Sequence, residues 1–442
     1  MRVFFSAGEA SGDAYAAEIL KRLQPHGNSI FGNDLARIKH DNQYQTPQEL
    51  FDHLREESRT LSTNDVAELV AALTKLGVEI PTELASGVRT TEELLDYISK
   101  KLTNDSENTS VYVQAVGGRR LDQAGADIVA DSSKWGAVSI AESVKVSPRV
   151  IAGYYAATRA ISRGRPGLFV PIDFGFINIK LARLAKRKGW KVLYFIPPGS
   201  WRKDKQGADL ASVTDAIVTP FPWSADILNK MGANAHYFGH PLKEMVAQTP
   251  ETAERDGIAV LPGSRAHEIE CNVPVIAQAI KDFEGPVRIA VAPSADETHL
   301  RHTWTKWSDH EPAFLHSAAP ALKASRSAIV CSGTATLEAA LCACPCVVMY
   351  RANWLMELEY RLRKPKFDYI SLPNILLDRP LLKELILLDA NPDAVKAELA
   401  ALDADGPRRT EVLAAFAELS ASLGDTDCLE RTAELARQMM DT

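Results

Sequence analysis

Short hydrophobic runs alternate with amphipathic stretches along most of the chain. Stretches such as 14–23, 177–189 and 336–343 have helical spacing. The runs are rich in Val and Ile and are continuous rather than alternating, and they lie at 3–7, 111–118, 167–173, 191–197, 216–221, 258–264, 287–293, 328–333 and 346–350. Continuous runs are typical of parallel strands covered by helices on both faces. The alternation therefore predicts α/β, doubly wound domains.

The hydrophobic runs fall into two groups on either side of a polar connector at 249–257. We therefore expect two Rossmann-like domains that face a cleft, followed by helices. The expected segments are 1–33 with 109–248 for the first domain, 249–400 for the second, and 401–442 for the C-terminal helices. Ligands of such sheets bind at the carboxyl ends of the strands, where the glycine loops of this sequence lie.

Residues 34–108 interrupt this rhythm with helical patterns only, which predicts an all-helical insertion. The segment contains 8 lysine and arginine residues and 15 acids, so it accounts for the whole formal charge of −7. Because the rest of the chain is balanced, nothing indicates a nucleic-acid partner. The 442-residue chain is 46% hydrophobic and 24% charged, which excludes disorder over its whole length.

Two features bear on the compartment. No run of about 18 apolar residues exists, and the N-terminus enters a glycine loop too early for a signal peptide, so a cytoplasmic location is expected. Cys342, Cys344 and Cys346 form a CACPC motif in an apolar run. We interpret it as a buried strand entry, with metal binding as the alternative.

The first candidate site is the loop after the first predicted strand, GEASGD. Gly8 permits close backbone approach, and the following helix start favours an anion. Glu9 and Asp13 are carboxylates, which suit a hydroxyl-rich substrate because sugar hydroxyls donate hydrogen bonds to them. The alternative is an ordinary strand–helix turn in which Ser11 or Asp13 caps the helix.

Two loops of the second domain carry further candidates. In LPGSR, Ser264 and Arg265 stand where a helix begins, and a guanidinium matches the oxygens of a diphosphate. The alternative is a surface arginine after a turn. In SGTATLE, small residues lead into a helix whose backbone and hydroxyls suit a phosphate, and Glu338 suits ribose hydroxyls or a capping box. The small residues are Ser332, Gly333, Thr334 and Thr336.

Asp173 closes the predicted strand GLFVPID, where it would face the cleft. An acid at this position suits a general base for a hydroxyl nucleophile, although aspartate is also a common helix cap.

The motifs together resemble the lipid-A-disaccharide synthase family of inverting glycosyltransferases, which have the GT-B fold. The similar segments are SAGEASGD, AVGGRRLDQAG, FGHPL, LPGSR, SGTATLE and SLPNIL, in this order along the chain. The resemblance implies a UDP-diacylglucosamine donor, a diacylglucosamine 1-phosphate acceptor, and a β-1′,6-linked disaccharide product with release of UDP. It implies no cofactor and no divalent metal, so the one DxD match, at 403–405, is interpreted as solvated charge.

The resemblance also assigns residues. Asp173 matches the proposed catalytic aspartate of the family's IDxPDFN motif, and Glu9 is expected to assist it. The other matched positions are expected to contact substrate: Gly8, Ser11, Asp13, Asn178, His240, Ser264, Arg265, Ser332, Gly333, Thr334, Thr336, Glu338 and Asn374.

Some acceptor-side motifs depart from the family pattern. An expected acid is Ser139, the second aspartate of IDxPDFN is Phe176, and a Trp-rich motif is shortened at 199–202. Three alternatives therefore stay open: a GT-B transferase with another acceptor, a UDP-GlcNAc 2-epimerase-like enzyme, and a non-catalytic UDP-sugar or lipid-binding protein.

Two further partners are expected. Apolar and aromatic residues including Ile151 and Tyr155 alternate with arginines such as Arg149 and Arg159, which suits the inner-membrane surface or, alternatively, a core-facing helix with basic solvent positions. Within the insertion, 65–98 faintly resembles acyl carrier protein. This implies a possible carrier-like docking role, with an unrelated helical insert as the alternative.

Overall fold

The structure is a computed structural model, and it describes residues 2–23, 111–133, 135, 140–163, 165–352 and 368–441. The predicted all-helical insertion at 34–108, with its likeness to acyl carrier protein, lies outside the described residues.

The first sheet has seven parallel strands in the order β3-β2-β1-β4-β5-β6-β7. They are β1 (Arg2–Ala7), β2 (Tyr112–Gly117), β3 (Asp127–Asp131), β4 (Leu168–Ile172), β5 (Lys191–Phe195), β6 (Ala216–Thr219) and β7 (Ala235–Tyr237). In the centre, Val3 pairs with Val113 on one side and with Leu168 on the other. This register brings the carboxyl ends of β1, β2 and β4 to the same edge.

The second sheet has six parallel strands in the order β10-β9-β8-β11-β12-β13. They are β8 (Ile258–Leu261), β9 (Val287–Ala290), β10 (Ala313–Leu315), β11 (Ser327–Cys331), β12 (Cys346–Tyr350) and β13 (Glu384–Ile386). Both sheets contain the 3-2-1-4-5-6 strand order of a doubly wound Rossmann fold. The prediction of two Rossmann-like domains is confirmed.

Helices cover the sheets and connect their strands. They are α1 (Ala10–Leu23), α2 (Arg119–Gln123), α3 (Ile140–Ser162), α4 (Gly175–Arg187), α5 (Leu210–Val213), α6 (Pro222–Lys230), α7 (Pro241–Ala247), α8 (Ala266–Ala279), α9 (Glu297–Trp307), α10 (Ala318–Ala324), α11 (Thr334–Leu341), α12 (Leu372–Leu377), α13 (Pro392–Asp403), α14 (Pro407–Ser422) and α15 (Cys428–Asp441).

All nine hydrophobic runs form strands, and four further strands complete the sheets. The additional strands, β3, β7, β10 and β13, are the outermost strands of the two sheets. They are short and mostly half-buried, whereas most inner strands are buried along nearly their whole length. An edge strand has one partner and less cover, so it lacks the continuous apolar run that identifies an inner strand.

The last helix crosses back to the first domain. Cys428, Leu429 and Ala433 of α15 belong to the hydrophobic core around β1 and α1. In contrast, α13 packs on the second sheet and α14 packs on helices of the second domain. Arg22 of α1 forms ion pairs with Glu430 of α15 at 3.7 Å and with Glu244 of α7 at 2.8 Å, and these pairs stabilise the contact between the helices. The C-terminal segment therefore joins the two domains on the side of α1.

Within the described ranges, no helix has both the length and the apolar character needed to cross a bilayer. The three cysteines of CACPC are buried and unpaired by disulfides, and Cys346 begins β12. The interpretation of this motif as a buried strand entry is confirmed.

Candidate active site

The β1–α1 loop lies directly against the residue that follows the β4 aspartate. A Cβ atom on Gly8 would lie 2.0 Å from the ring of Phe174, so only glycine fits at this contact. Glu9 is exposed and Ser11 is half-buried at the start of α1. The loop therefore brings an exposed carboxylate to the edge of the sheet where β4 also ends.

Asp13 is buried and has a structural role. Its carboxylate accepts hydrogen bonds from the backbone N–H groups of Gly118 at 2.6 Å, Arg120 at 3.0 Å and Leu121 at 3.3 Å. Both oxygens thus stabilise the start of α2, which follows the neighbouring strand β2. This differs from the expectation that Asp13 presents its oxygens to a sugar hydroxyl.

Asp173 follows β4 in an unusual backbone conformation. Its φ is 46°, and that of Phe174 is 48°, so two successive residues other than glycine are left-handed. The ring of Phe174 packs between Gly8 and Trp135, whose ring centroid is 5.7 Å away. Left-handed residues of this kind persist only where surrounding contacts determine them, and they cluster at functional sites.

Asn178 provides several of those contacts. It is fully buried, and its Nδ2 lies 2.9 Å from the carbonyl of Ser6, 3.1 Å from that of Ile172 and 3.0 Å from that of Asp173. Its Oδ1 accepts a hydrogen bond from the Ser6 hydroxyl at 2.6 Å. Asn178 therefore holds the backbone around Asp173, and its amide is not available to the substrate it was expected to bind.

The surroundings of Asp173 favour its protonated form more than water does. Burial, followed by the negative charge of Glu9, raises the pKa of Asp173 to about 6, and a hydrogen bond from the Phe174 N–H opposes the shift. A carboxylate with this pKa is mostly ionised at neutral pH but is a stronger base than an exposed aspartate. Glu9 and Asp173 therefore form an acidic wall of the first domain, and the raised pKa of Asp173 is one that would suit a general base.

Arg265 lies at the start of α8 in the second domain, and we call this part of the site the cationic wall. Its Nη1 donates to Glu268 at 2.7 Å, and the other oxygen of Glu268 accepts from the N–H groups of Ser264 at 2.8 Å and Arg265 at 3.2 Å. Glu268 therefore caps the start of α8 in the way that the acid of a capping box does, by accepting from the N-cap backbone N–H. Burial acts against the charge of Arg265, but Glu268 and Glu9 together raise its pKa, which places Glu9 within electrostatic reach across the cleft.

The β11–α11 loop presents its backbone to solvent. Gly333 has a φ of 148°, which favours glycine, and both Gly333 and Thr334 are exposed at the start of the helix. Their N–H groups lie at the positive end of α11, where a phosphate binds favourably. The structure therefore keeps Gly333 and Thr334 as candidate substrate contacts.

Ser332 and Thr336 hold this loop in place. The Ser332 hydroxyl donates to the carbonyl of Ile370 at 3.0 Å. The Thr336 hydroxyl donates to the carbonyl of Gly333 at 2.8 Å and accepts from the N–H of Leu372 at 3.2 Å. Both side chains connect the loop to the start of α12, so their observed contacts are structural.

Glu338 lies one turn into α11. Burial raises its pKa to about 7, while the positive charge of Arg120, from the first domain, acts in the opposite direction. Tyr15 of α1 is buried in the core of the first domain, and after burial the charges of Glu338 and Asp173 contribute most to its raised pKa. Near pH 7 Glu338 is therefore present in both protonation states, and its ionised form can accept hydrogen bonds from ribose hydroxyls.

His240 caps α7. Its Nδ1 accepts a hydrogen bond from the N–H of Leu242 at 3.2 Å, and its ring centroid is 5.5 Å from that of Phe221. Burial lowers the pKa of His240 to about 3, so the ring is neutral at physiological pH.

Asn374 is buried and fully engaged by its own domain. Its Oδ1 accepts from the N–H of Leu382 at 2.8 Å. Its Nδ2 donates to the carbonyl of Leu382 and to the carboxylate of Glu384, both at 2.9 Å. Glu384, which the sequence analysis missed, also accepts from Ile370 and Ser371. Its only sequence signal is an acid inside the apolar segment LKELIL.

The two motifs considered for metal binding are CACPC and the DxD match at 403–405. In the described part of the chain, no group of three or more His, Cys, Asp or Glu side chains is arranged to hold an ion. In the DxD match, Asp403 accepts from Ser327 at 3.0 Å and Asp405 pairs with Arg326 at 2.9 Å. These acids are thus partly paired rather than solely solvated.

Two doubly wound Rossmann-like domains in one chain are the architecture of the GT-B fold. A family model described as LpxB, lipid-A-disaccharide synthetase, matches residues 84–436. The lipid-A-disaccharide synthase of Koribacter versatilis is 32% identical over 379 residues, covering 82% of this chain and 97% of that protein. The protein of the same name from Anaeromyxobacter dehalogenans is 30% identical over 335 residues, covering 72% and 87%. The chain belongs to the lipid-A-disaccharide synthetase family.

Among solved structures, a UDP-GlcNAc 2-epimerase from Neisseria meningitidis superposes with a TM-score of 0.49 at 12% identity, covering 76% of this chain and 94% of that one. A likeness at this level carries no argument about function.

Proposed function

We propose that this protein is a lipid-A-disaccharide synthase. It transfers the sugar of UDP-2,3-diacylglucosamine to the 6-hydroxyl of 2,3-diacylglucosamine 1-phosphate, forming the β-1′,6-linked disaccharide 1-phosphate and UDP. Beyond family membership, one observation carries the proposal: Asp173 follows β4 beside the Glu9 loop, in a left-handed backbone held by buried Asn178. The charge of Glu9 raises the pKa of both Asp173 and Arg265, which supports a shared site.

The proposed chemistry is a single displacement at the anomeric carbon. The Asp173 carboxylate accepts the proton of the acceptor hydroxyl as that oxygen forms the new bond to the anomeric carbon. The bond to the UDP oxygen breaks, and its electron pair leaves with the diphosphate. Arg265 and the N–H groups at Gly333 and Thr334 compensate the developing negative charge. One inversion gives the β-linkage from an α-linked donor.

The remaining assignments follow from exposure. Glu9, Ser11 and Ser264 are accessible enough for sugar or phosphate contacts, and Glu338 suits the ribose hydroxyls. Asp13, Asn178, Thr336 and Asn374 are proposed to support the site without touching the substrate, because their polar atoms already bond the backbone.

We also propose that the protein works at the cytoplasmic face of the inner membrane as a peripheral protein. Tyr155 and Ile151 on α3 are 66% and 54% exposed, and Phe176, three residues after the proposed base, is 72% exposed. The Lys180 ammonium lies 3.9 Å from the centre of the Phe176 ring. Exposed apolar side chains beside basic ones suit an anionic lipid surface and acylated substrates.

A vesicle-binding measurement tests this part. The full chain should co-sediment with vesicles containing phosphatidylglycerol more than with phosphatidylcholine vesicles, and Ile151→Asp with Tyr155→Asp should abolish the difference. Met231→Asp, which changes an exposed apolar residue directly after α6, is the control. Equal sedimentation of all three proteins would contradict the membrane assignment.

The transfer itself is tested with purified protein and two incubations. Donor plus acceptor should give disaccharide and UDP. UDP-GlcNAc alone should stay unchanged, since an epimer formed without UDP would indicate an epimerase. Binding of UDP-sugar without turnover in either incubation would indicate a non-catalytic relative and overturn the proposal.

A further inference from the structure

The carbonyl group of Asp173 accepts two hydrogen bonds from buried side chains. The hydroxyl of Tyr194 donates at 2.8 Å and the amide of Asn178 donates at 3.0 Å. This carbonyl belongs to the peptide between Asp173 and Phe174, the two residues with left-handed backbone. The two donors therefore fix the peptide whose rotation would redirect the carboxylate of Asp173.

Tyr194 is the carbonyl's dedicated donor. The amide nitrogen of Asn178 has two hydrogens but lies within bonding distance of three carbonyls, so it cannot satisfy all three at full strength. The Tyr194 hydroxyl has one hydrogen, and Asp173 is the acceptor for it. The phenol is buried in β5, adjacent to β4, where the strands pair at Ile172 and Phe195.

The Tyr194 hydroxyl keeps its proton under all working conditions. Burial and the negative charge of Asp173 raise its pKa well above the ordinary value, while a hydrogen bond with Asn178 opposes the shift. Because left-handed backbone is unfavourable for residues other than glycine, the conformation of Asp173 depends on such permanent donors.

We propose that Tyr194 is a positioning residue that sets the direction of the Asp173 carboxylate through its hydrogen bond to the Asp173 carbonyl. This rests on the proposed function, since it assumes that Asp173 is the base. Removing the hydroxyl frees the peptide to relax, and the carboxylate then turns from the acceptor hydroxyl toward solvent. Transfer slows, whereas the cationic wall, which is proposed to bind UDP, keeps its structure.

The charged and titratable groups around Asp173 define the pH readout. Glu9 in the β1–α1 loop and Tyr194 in β5 face it, and Tyr15 in α1 senses its charge. Burial is the largest cause of the raised Asp173 pKa, so a carboxylate that turns toward solvent loses part of that shift. The acidic limb of the rate profile then moves to lower pH.

The test compares Tyr194→Phe with Tyr112→Phe. The Tyr112 hydroxyl is also largely buried in the same sheet and donates to Asp127 at 3.2 Å, but it lies at the opposite end of the strands. We expect Tyr194→Phe to lower kcat about tenfold, as loss of one well-placed hydrogen bond does, with an unchanged KM for the UDP-sugar and a lower acidic pKa of kcat. Tyr112→Phe should leave kcat and the pH profile unchanged.

A double variant separates positioning from general damage. If Tyr194 acts only through Asp173, adding Tyr194→Phe to Asp173→Asn should leave the residual transfer rate unchanged. A further tenfold loss in that background, or an equal loss of kcat in both tyrosine variants, would overturn the proposal. Failure of the unmodified protein to form disaccharide would instead refute the proposed function.

Discussion

The first wall of the cleft is the acidic wall, with Asp173, and the second is the cationic wall, with Arg265. The two walls position these side chains by different means. Asp173 depends on side chains from β1, α4 and β5, which hold a left-handed backbone in place from distant parts of the chain. Arg265 depends on Glu268, three residues away, which accepts from both its side chain and its backbone N–H. The conformation of Asp173 therefore depends on the tertiary structure of the first domain, whereas that of Arg265 depends mostly on local sequence.

This difference leads to different consequences of substitution. On the first wall, buried residues that never touch substrate should change the rate of the chemical step. On the second wall, changes should act mainly on the donor, because its contacts come from loops that fold locally. Glu9 lies between these cases, since its charge influences the pKa of both Asp173 and Arg265.

The largest effect is expected for Asp173→Asn. The amide keeps the size of the side chain but cannot accept the acceptor's proton, so disaccharide formation should fall roughly 10²–10⁴-fold. UDP affinity, measured by calorimetry, should stay within about twofold because the cationic wall is unchanged. Transfer within tenfold of the unmodified protein would show that the base lies elsewhere.

Arg265→Ala should come next and should act on the donor side. Loss of the guanidinium removes charge compensation for departing UDP, and kcat/KM for the UDP-sugar should fall by about 10². Arg301→Ala, which breaks an exposed ion pair on α9 of the same domain, is the matched control and should have little effect. A loss confined to the acceptor KM would contradict the assignment of the second wall to the donor.

The fold was predictable where strands are covered on both faces. Runs such as 168–172 and 327–331 are buried along their whole length, and their apolar continuity identified them. The four edge strands were missed for the physical reason that half-exposed positions carry mixed residues, as in DIVAD of β3.

The sequence suggested candidate residues for the site but not the role of each residue. Glycine loops and strand ends predicted Glu9, Asp173 and Arg265 for one cleft, and the charge of Glu9 influences the pKa of both other residues. The sequence could not separate substrate contacts from structural ones, because a polar side chain at a strand end serves both. Asp13 bonds a residue 105 positions away and Asn178 one 172 positions away, and no local pattern encodes such partners.

A third prediction tests whether the second wall is purely local. Glu384 accepts hydrogen bonds from Ile370, Ser371 and Asn374, so it ties β13 to the start of α12. Glu384→Gln replaces one acceptor oxygen with a donor and should lower the free energy of unfolding by about 1–3 kcal/mol.

Thermal and urea unfolding measure this loss. Glu297→Gln, which alters an acid paired with Arg301 on a helix surface, should change stability by less than about 0.5 kcal/mol. Equal stability of the two variants would mean that the loop before α12 does not depend on β13, and the second wall would then be local throughout.

The smallest effect is expected for Glu9→Gln. The charge of Glu9 is the second cause, after burial, of the Asp173 pKa of about 6, so removing it should lower that pKa while leaving it above the ordinary value. Since the base must be ionised, the acidic limb of kcat/KM should move to lower pH by less than about one unit.

Asp226→Asn, which removes an exposed acid from α6, should leave the limb in place. Each limb is measured relative to that variant's own plateau. A limb that stays at its original pH would mean that burial alone tunes Asp173, and a shift to higher pH would contradict the acidic wall itself.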